Sequence, residues 1–519
     1  MFDKFITNRL PQGTTLQLIL MIVLSACSKD SKYLPIDEDF CSQIHFERHG
    51  GLSEQLAPFV DLINAKTGVY ALEEGDISMI ARAWLSESAE KTIDIQYFIF
   101  SADNVGLIAL DYLLRAADRG VTIRLLVDDI MVEADADELL ALDAHPNLAI
   151  KIYNPTANIG KNLPQKLLSL TTDFRGFNQR MHNKTFIVDG KVVITGGRNI
   201  ADEYFDYDHE YNFRDRDVLL IGKISASVQH SFDLFWSDPL SVPVTDIVET
   251  NEVGLDTATA YNYLHQYACN PENFWPQVRE KIKAVPMAFD QIQKTGDLVW
   301  CDNVAFVSDI PGKNSGESGL SGGGLSTDSL ISLIKKAKHS IDIQSPYLIT
   351  TELSQQLFLD AVERGVQINI LTNSLSSTDN LEAFSGYRRE RESLLGTGIH
   401  IYEFKPDAEI RYKLMTGALQ KKMNYTPVFG LHAKSMVIDS EIAVIGTFNL
   451  DPRSANLNTE CIAVVYDTTI AAKLLEAMQN DMKPENAWQT TSEYNPDEEA
   501  GLSKRIKVWF RGIVPKSVL

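Results

Sequence analysis

One pattern constrains the fold of this chain more than any other: a set of polar residues embedded in apolar strands occurs twice. The stretch MHNKTFIVDGKVVITGGRN begins at Met181, and LHAKSMVIDSEIAVIGTFN begins at Leu431. Both copies keep the same four polar residues and one glycine at the same spacing: His182, Lys184, Asp189, Gly196 and Asn199 in the first, and His432, Lys434, Asp439, Gly446 and Asn449 in the second. Chance is a poor explanation for this agreement, so the pattern predicts two copies of one folding unit.

Two further blocks recur in the same order and at nearly the same offset. TIDIQ at 92–96 corresponds to SIDIQ at 340–344, and AADRGVTIRLL at 116–126 corresponds to AVERGVQINIL at 361–371. Each copy alternates helical periodicity with apolar strands, which is typical of parallel βαβ units. We therefore predict an α/β fold of two tandem repeats, each a mostly parallel sheet flanked by helices, packed as a bilobal pseudo-twofold unit.

Strand geometry identifies the working side chains of each copy. Residues two apart on a strand project from the same face, so the His-x-Lys spacing places an imidazole beside an ammonium. Asp189 and Asp439 follow their histidines by an odd number of residues and are predicted to be structural. Glycines after the second apolar run allow the backbone and an asparagine to approach a ligand. These glycines are Gly196, Gly197 and Gly446, and the asparagines are Asn199 and Asn449.

An imidazole, an ammonium and a carboxamide, present twice, predict a pocket for a phosphate. Lysine and asparagine neutralise and hydrogen-bond the phosphate oxygens, which leaves histidine to attack phosphorus. In phosphodiester exchange one histidine forms a phosphohistidine, while the other protonates the departing alkoxide and then deprotonates the incoming alcohol. We assign His182 as the nucleophile and His432 as the acid and base, with the reverse assignment left open. This chemistry requires no metal and no cofactor.

Each catalytic histidine needs a partner for its other ring nitrogen. Two acids are candidates, Asp215 in FRDRDVLLI and Glu460 in NTECIAVV. Each is predicted to orient the histidine of its own half. Asp217 and Glu210 are the alternatives to Asp215.

The N-terminus has the composition of an export signal. Lys4 and Arg9 precede the apolar run LQLILMIVL at 16–24, which is too short to span a bilayer comfortably. The residues that follow, Ser25-Ala26-Cys27, complete a sequence that resembles the lipobox of bacterial lipoproteins, which implies lipidation of Cys27. The alternative is a plain signal peptide with an incidental cysteine.

The other cysteines show no zinc-binding spacing. A disulfide between Cys269 and Cys301 is one possibility in an exported protein, and free buried thiols are the other. The four cysteines concerned are Cys41, Cys269, Cys301 and Cys461.

The charge distribution bears on the partners of the chain. With 48 basic and 70 acidic residues the net charge is −22, which argues against nucleic acid as the main partner. The tail KRIKVWFRGIVPK at 504–516 instead interleaves basic with apolar residues. This composition favours an interfacial segment on an anionic leaflet, and a C-terminal helix docked on the core is the alternative.

The duplicated motifs resemble those of the phospholipase D superfamily. RMHNKTFIVDGKVVITGGRNIADEYF, LHAKSMVIDSEIAVIGTFNLDPRSANLNTE and LTNSLSSTDN are most similar to its bacterial cardiolipin synthase branch, in particular the cardiolipin synthase C group, over roughly residues 70–511. The resemblance implies that both His-Lys-Asn sets meet between two lobes. It also implies transfer of a phosphatidyl group to phosphatidylglycerol. Thr447 stands where the first motif has its second glycine, Gly197.

The expected partners are therefore phospholipids, with phosphatidylglycerol as acceptor and the donor left open, and no nucleic acid or obligatory protein partner. Three rival functions remain: a hydrolytic phospholipase D that releases phosphatidic acid, a nucleic-acid phosphodiesterase, and a lipid-binding lipoprotein without turnover. The expected location is a bacterial membrane, as a lipoprotein facing the periplasm.

At 519 residues the chain is longer than a single core usually serves, so we predict several regions. They are a signal peptide and lipobox at 1–27, an N-terminal spacer and lead-in at 28–69, a first lobe at 70–240, a connector at 241–300, a second lobe at 301–500 and a basic-aromatic tail at 501–519.

Overall fold

The computed structural model describes most of the chain beyond the N-terminal segment. The described residues are 41, 50–131, 136–155, 178–248, 257–274, 276–283, 285–294, 296–315, 321–415 and 427–511. Cys27 and the predicted export signal lie outside them, as do residues 512–519 of the tail. Within the described ranges, no helix combines the length and the apolar character needed to cross a membrane.

The described residues form helices and strands in alternation. The strands are β1 (Thr67–Leu72), β2 (Thr92–Tyr97), β3 (Thr122–Asp128), β4 (Leu148–Tyr153), β5 (Thr185–Val188), β6 (Val192–Gly196), β7 (Tyr211–Arg214), β8 (Asp217–Gly222), β9 (Ser241–Pro243), β10 (Val299–Cys301), β11 (Val304–Ser308), β12 (Ser340–Gln344), β13 (Gln367–Asn373), β14 (His400–Phe404), β15 (Val428–Leu431), β16 (Ser435–Ile438), β17 (Ile442–Gly446), β18 (Cys461–Tyr466) and β19 (Ala487–Thr490). The helices are α1 (Leu52–Leu56), α2 (Val60–Ala65), α3 (Gly75–Ser88), α4 (Asn104–Asp118), α5 (Ala136–Asp143), α6 (Ser225–Ser237), α7 (Val244–Ile247), α8 (Thr257–Ala268), α9 (Pro276–Lys283), α10 (Ala288–Lys294), α11 (Leu325–Lys336), α12 (Glu352–Glu363), α13 (Leu381–Gly396), α14 (Arg411–Leu414), α15 (Pro452–Asn456), α16 (Thr468–Asp481) and α17 (Leu502–Arg511).

The strands assemble into two large sheets, one for each repeat. The first sheet has the order β10-β1-β8-β6-β5-β2-β3-β4-β9, and the second has the order β11-β18-β17-β16-β12-β13-β14-β19. A short parallel ladder between β7 and β15 joins the two halves. The predicted α/β class, with two tandem repeats and sheets flanked by helices, is confirmed.

The prediction that the sheets are mostly parallel is wrong, because both sheets are mixed. Parallel ladders join β2 to β3 to β4 and β12 to β13 to β14. The motif strands β5 and β6 instead form an antiparallel hairpin through a tight turn at Asp189 and Gly190, which have φ angles of 52° and 62°. Helix α4 returns the chain for a parallel pairing, whereas a tight turn can only produce an antiparallel one. Apolar strand patterns look the same in both cases.

A buried apolar cluster shared by the two repeats packs one sheet against the other. Strands β6 and β8 contribute Val193, Val218 and Leu220, and strands β16, β17 and β18 contribute Val437, Ile445 and Ala463. The duplicated motifs run through β5, β6, β16 and β17. They therefore meet at the interface between the lobes.

The structure pairs Cys269 with Cys41 in a disulfide. Pairing of Cys269 with Cys301, left open above, does not occur, because Cys301 lies in the edge strand β10 and is a buried free thiol, as is Cys461. The disulfide attaches the N-terminal lead-in to the end of α8.

Candidate active site

The β7–β15 ladder brings His432 to an acid of the other lobe. Leu431, the last residue of β15, lies opposite Arg214, the last residue of β7. The next residues along these parallel strands are His432 and Asp215, so register alone places them side by side. His432 Nδ1 lies 2.6 Å from Asp215 Oδ2, and the backbone N–H of His432 donates to the Arg214 carbonyl at 2.8 Å.

A second crossing, related to the first by the repeat, brings His182 to Glu460. Met181 and Thr459 form an isolated parallel bridge, and the backbone N–H of His182 donates to the Thr459 carbonyl at 3.0 Å. One residue further, His182 Nδ1 lies 2.8 Å from Glu460 Oε2. Each histidine is therefore held by a carboxylate from the opposite lobe.

The sequence-predicted pairing of these acids is wrong, although both acids reach a histidine. Asp215 was expected at His182 and Glu460 at His432, and the structure exchanges them. The expectation assumed that each acid serves its own half, whereas strand ends from the two lobes cross at the site. Of the alternatives, Asp217 forms an ion pair with Arg82 at 2.9 Å, and Glu210 lies exposed at the surface.

The two carboxylates are supported in different ways. Glu460 accepts hydrogen bonds from the hydroxyls of Thr447 and Ser454, the latter at 2.7 Å. Asp215 accepts the backbone N–H of Arg216 at 2.7 Å. A β-carbon at Gly197 would lie only 2.0 Å from Asp215 Oδ1, so this glycine provides room for the acid rather than for a ligand. Gly196 and Gly446 leave room for backbone in the same way. A β-carbon at Gly196 would lie 2.5 Å from the Arg216 carbonyl oxygen, and one at Gly446 would lie 2.3 Å from the Cys461 carbonyl oxygen.

Burial sets the protonation state of the histidines. Removal from water lowers the pKa of His182 to about 4, and burial together with the Lys434 charge lowers the pKa of His432 to about 3. Burial alone would raise the pKa of both acids, but the adjacent histidines hold them below their usual range. At neutral pH the acids are therefore ionised and the imidazoles neutral. A carboxylate can only accept, so Nδ1 carries the proton and Nε2 keeps a lone pair.

The two lysines lie beside the histidines and are buried with them. Lys184 Nζ donates to the His182 carbonyl at 2.9 Å, while Lys434 Nζ donates to the His432 carbonyl and lies 3.1 Å from His432 Nε2. Burial and repulsion by Lys434 lower the pKa of Lys184 to about 7. Burial lowers the pKa of Lys434 to about 8. Among the described residues neither lysine forms an ion pair with a carboxylate, so both ammonium groups are available to contact the oxygens of a phosphate diester.

The two asparagines differ in what they contact. The Asn199 side chain donates to the Tyr204 hydroxyl at 2.8 Å and accepts from the Ile99 backbone N–H at 3.1 Å, so it holds the wall of the site. Asn449 Oδ1 is buried and has no hydrogen-bond partner among the described residues. Of the two predicted phosphate ligands, Asn199 is therefore held by hydrogen bonds within the protein, whereas the Asn449 side chain is the better candidate to contact a ligand.

The aspartates of the motif lie away from the histidines and close the start of a neighbouring strand. Asp189 accepts the backbone N–H groups of three successive residues, Glu90, Lys91 and Thr92. Asp439 does the same for Lys338, His339 and Ser340. Both contacts anchor the motif hairpin to the sheet.

Sequence reasoning missed the aromatic walls of the site. Phe98 packs edge-on against the His182 ring with centroids 5.1 Å apart. Tyr204 and Phe213 enclose the His432 ring at 5.1 Å and 4.7 Å. The available signal was their position: Phe98 directly follows β2, and the other two lie close to Asn199 and Asp215 in the chain. Apolar rings keep water from the imidazoles, which is why burial dominates their pKa values.

Among the described residues, the one group of His, Cys, Asp or Glu side chains close enough to share an ion is Cys41, Asp111 and Cys269. Its two sulfurs are bonded to each other, so they are not available as thiolate ligands.

Comparison with known proteins places this site in a family. The model of the family described as "Cardiolipin synthase, PLD-like domain" matches residues 85–236 and 330–482, which contain both motifs. The chain belongs to this cardiolipin synthase family. By family and fold it is an enzyme of the phosphatidyltransferase type.

Individual relatives agree with this membership. Cardiolipin synthase C of Escherichia coli is 33% identical over 449 residues, which cover 84% of this chain and 89% of the relative. An uncharacterized protein of Helicobacter pylori strain 26695 is 33% identical over 79% of this chain and 78% of its own length. The crystal structure of phosphatidylserine synthase from Haemophilus influenzae has a TM-score of 0.55 at 14% identity, covering 90% of this chain and all of that one, which shows a shared fold.

Proposed function

We propose that this cardiolipin synthase family member transfers a phosphatidyl group onto phosphatidylglycerol and forms cardiolipin through a phosphohistidine intermediate. The supporting observation is the crossed arrangement of two buried histidines, each held at Nδ1 by an ionised acid and accompanied by a lysine. A hydrolytic phospholipase D could use the same arrangement of residues, with water in place of phosphatidylglycerol as the second substrate. The curated relative named cardiolipin synthase C supports phosphatidylglycerol as the acceptor.

In the first step His182 Nε2 attacks phosphorus of the donor, and the bond from phosphorus to the head-group oxygen breaks. His182 is favoured as the nucleophile because, among the described residues, its Nε2 has no hydrogen-bond partner, whereas Lys434 Nζ lies against the His432 ring, 2.8 Å from Nδ1 and 3.1 Å from Nε2. His432 gives its proton to the departing alkoxide. The anionic diester raises the pKa of His432 on binding, which supplies the protonated form.

In the second step the neutral His432 removes the proton from a hydroxyl of phosphatidylglycerol. The resulting oxygen attacks phosphorus, the bond to His182 breaks, and both histidines return to their starting states. Lys184 and Lys434 neutralise the phosphate oxygens throughout, and Asn449 is the proposed hydrogen-bond donor to them. Aromatic walls that exclude water favour a lipid alcohol over hydrolysis.

We further propose that the chain is a lipoprotein with lipidated Cys27 and that its catalytic lobes face the periplasm. The disulfide between Cys41 and Cys269 supports this location, because such bonds form and persist in oxidising compartments. The phospholipid substrates and the Cys27 anchor together give membrane association.

The test is mass spectrometry of lipids after the purified protein meets phosphatidylglycerol vesicles, with and without phosphatidylethanolamine. We expect cardiolipin from the wild type and from His400→Gln, which alters an exposed histidine, and none from His182→Asn. The lipid mixture that gives the higher yield identifies the donor. Phosphatidic acid without cardiolipin would show a hydrolytic phospholipase D instead, and unchanged lipids would contradict both.

A further inference from the structure

The C-terminal helix α17 exposes an apolar stripe to solvent. Four large apolar side chains have exposed fractions between 50% and 71%: Leu502, Ile506, Trp509 and Phe510. Ile506 lies four residues after Leu502, and Trp509 and Phe510 lie three and four residues after Ile506, so all four share one face. The opposite face carries Val508, which is buried against α13, together with Lys504 and Arg511. A soluble surface helix normally has the reverse arrangement, with its apolar face inward.

The charges on α17 match an anionic lipid surface. The helix sequence LSKRIKVWFR contains four basic residues and no acidic one, in a chain with a net charge of −22. Arg505 and Lys507 are exposed and lie on either side of the apolar stripe. Aromatic and aliphatic side chains between basic residues are the composition of helices that lie in the head-group region of a membrane.

The inward face of α17 is joined to a loop at the edge of the active site. Lys504 Nζ donates to two backbone carbonyls of this loop, that of Ser376 at 3.0 Å and that of Thr378 at 2.8 Å. At the other end of the helix, Arg511 forms an ion pair with Glu382 of α13. The helix is therefore fixed at both ends, and one of these contacts holds the loop.

The same loop holds the residue that precedes His432. The Ser377 hydroxyl donates to Asn373 Oδ1 at 3.0 Å. The Asn373 side chain in turn forms two hydrogen bonds of 2.8 Å with the backbone of Leu431, one with its N–H and one with its carbonyl. Leu431 is bonded in the chain to His432. A continuous set of polar contacts thus runs from α17 to one of the two histidines.

A second route from the loop reaches the His432 ring through aromatic contacts. The Tyr211 hydroxyl donates to the Ser377 carbonyl. Tyr211 packs on Phe213 with centroids 5.0 Å apart, and Phe213 packs on His432 at 4.7 Å. A shift of residues 376–378 would therefore disturb both the backbone and the ring of His432.

We propose that α17 is the surface through which the protein contacts anionic lipid, and that the same helix positions His432 through residues 373–378. Lys504 is then a positioning residue, while the stripe of Leu502, Ile506, Trp509 and Phe510 enters the lipid. Lipid binding and active-site geometry depend on opposite faces of one helix. The proposal rests on the proposed function only in taking membrane lipids as the substrate.

The first test changes the outward face alone, in protein without residues 1–27, so that neither the export signal nor a lipid on Cys27 holds it to the vesicles; every described residue is retained. We expect Trp509→Ser with Phe510→Ser to weaken sedimentation with phosphatidylglycerol vesicles by about tenfold or more, since both side chains leave the interface. Turnover of the soluble diester bis(p-nitrophenyl) phosphate should stay within about twofold, because the inward face is intact. Leu353→Ser with Tyr412→Ser, which removes two exposed apolar residues elsewhere, is the matched control. Unchanged sedimentation of the Trp509 and Phe510 variant would overturn the lipid surface, and self-association lost in that variant would identify a second copy as the occupant.

The second test changes the inward face. Lys504→Met should lower kcat for the soluble diester about tenfold and lower KM with it, because a misplaced His432 slows breakdown of the phosphohistidine while the phosphate ligands remain. Vesicle sedimentation should persist, and Lys504→Arg should restore part of kcat. Lys335→Met, at an exposed lysine of α11, is the control, and circular dichroism checks folding. An unchanged kcat in Lys504→Met would overturn the positioning role.

These measurements separate failure of the inference from failure of the proposed function. Sedimentation and diester turnover do not depend on which lipid accepts the phosphatidyl group. Phosphatidic acid as the only lipid product would change the proposed function and leave both tests of α17 valid.

Discussion

The two histidine centres are built from equivalent parts but are not interchangeable. At His182 the acid is Glu460, held by two side-chain hydroxyls. At His432 the acid is Asp215, one methylene shorter, and the place equivalent to Thr447 is Gly197. The shorter acid must approach more closely, and only glycine leaves the room. The residue at this place in each motif is therefore matched to the acid of its own lobe, which orients the histidine of the other lobe.

The surroundings of the two rings differ as well. His432 follows a four-residue parallel ladder and is enclosed by Tyr204 and Phe213. Among the described residues His182 follows a single bridge and contacts one ring, that of Phe98. The two histidines are equally buried, with 6% of each exposed, so they differ in the number of aromatic contacts that hold the ring and not in access to solvent.

The largest expected effect comes from removing either histidine. His182→Asn and His432→Asn should each lower cardiolipin formation by about a thousandfold or more, since both steps use both rings. An aryl diester distinguishes the roles of the two histidines, because its good leaving group departs without a general acid and the first step then needs only the nucleophile. With bis(p-nitrophenyl) phosphate, His432→Asn should accumulate phosphorylated His182, detectable by mass spectrometry of the peptide. A label on His432 in His182→Asn would reverse the assignment.

Neutralising either acid should have the next largest effect. Asp215→Asn and Glu460→Gln should each lower kcat about a hundredfold, because each acid orients an imidazole. The exchange of partners predicts which pairs are coupled. In double-mutant cycles on the free energy of unfolding, His182→Ala with Glu460→Gln should show a coupling of about 0.5–3 kcal/mol. His182→Ala with Asp215→Asn should be nearly additive. The opposite pattern would support pairing within each half.

A smaller effect is expected where the motifs themselves differ. Gly197→Ala should lower kcat about tenfold, because its β-carbon displaces the Asp215 carboxylate. Thr447→Gly should cost about 1–3 kcal/mol of stability through the lost hydroxyl contact with Glu460 and greater unfolded-state freedom, with a smaller loss of kcat. Thr447→Ser keeps the hydroxyl and should behave like the wild type. Equal effects at both positions would mean that the two acids are held alike.

The last expected effect is on stability rather than on turnover, and it depends on pH. The folded protein holds His182 with a pKa of about 4 and His432 with a pKa of about 3, against about 6.5 in the unfolded chain. Below pH 6.5 the unfolded chain therefore binds more protons, and the free energy of unfolding falls as the pH falls, by at most about 1.4 kcal/mol per pH unit for each histidine. Denaturant unfolding between pH 7 and pH 4 measures this slope. His182→Asn should flatten it, and a slope unchanged in that variant would contradict a buried neutral His182.

The sequence predicted the elements of this site that depend on local geometry. A spacing of two placed each lysine beside its histidine, although these residues lie just before β5 and β16 rather than in the strands. Asp189 and Asp439, predicted from odd parity to be structural, lie away from the histidines. The pairing of acids with histidines failed because it depends on which strand ends meet between the lobes. No local pattern carries that information.

The same limit explains the sheets and the asparagines. Apolar strands have the same sequence pattern in parallel and antiparallel sheets, so the pattern of β5 and β6 does not show that they pair antiparallel. Asn199 and Asn449 occupy equivalent places in the motif, yet Tyr204 engages only the first. A repeat predicts equivalent backbone positions, while the neighbours that decide a side chain's role come from sequence outside the repeat.

The crossing of strand ends makes the protein resemble two subunits fused into one chain. Neither half contains a complete histidine–carboxylate pair, since each borrows its acid from the other. A chain cut between the lobes would separate each imidazole from the carboxylate that orients it. Each histidine depends on a residue more than 200 positions away in the sequence, so a change in either lobe acts on the chemistry of the other.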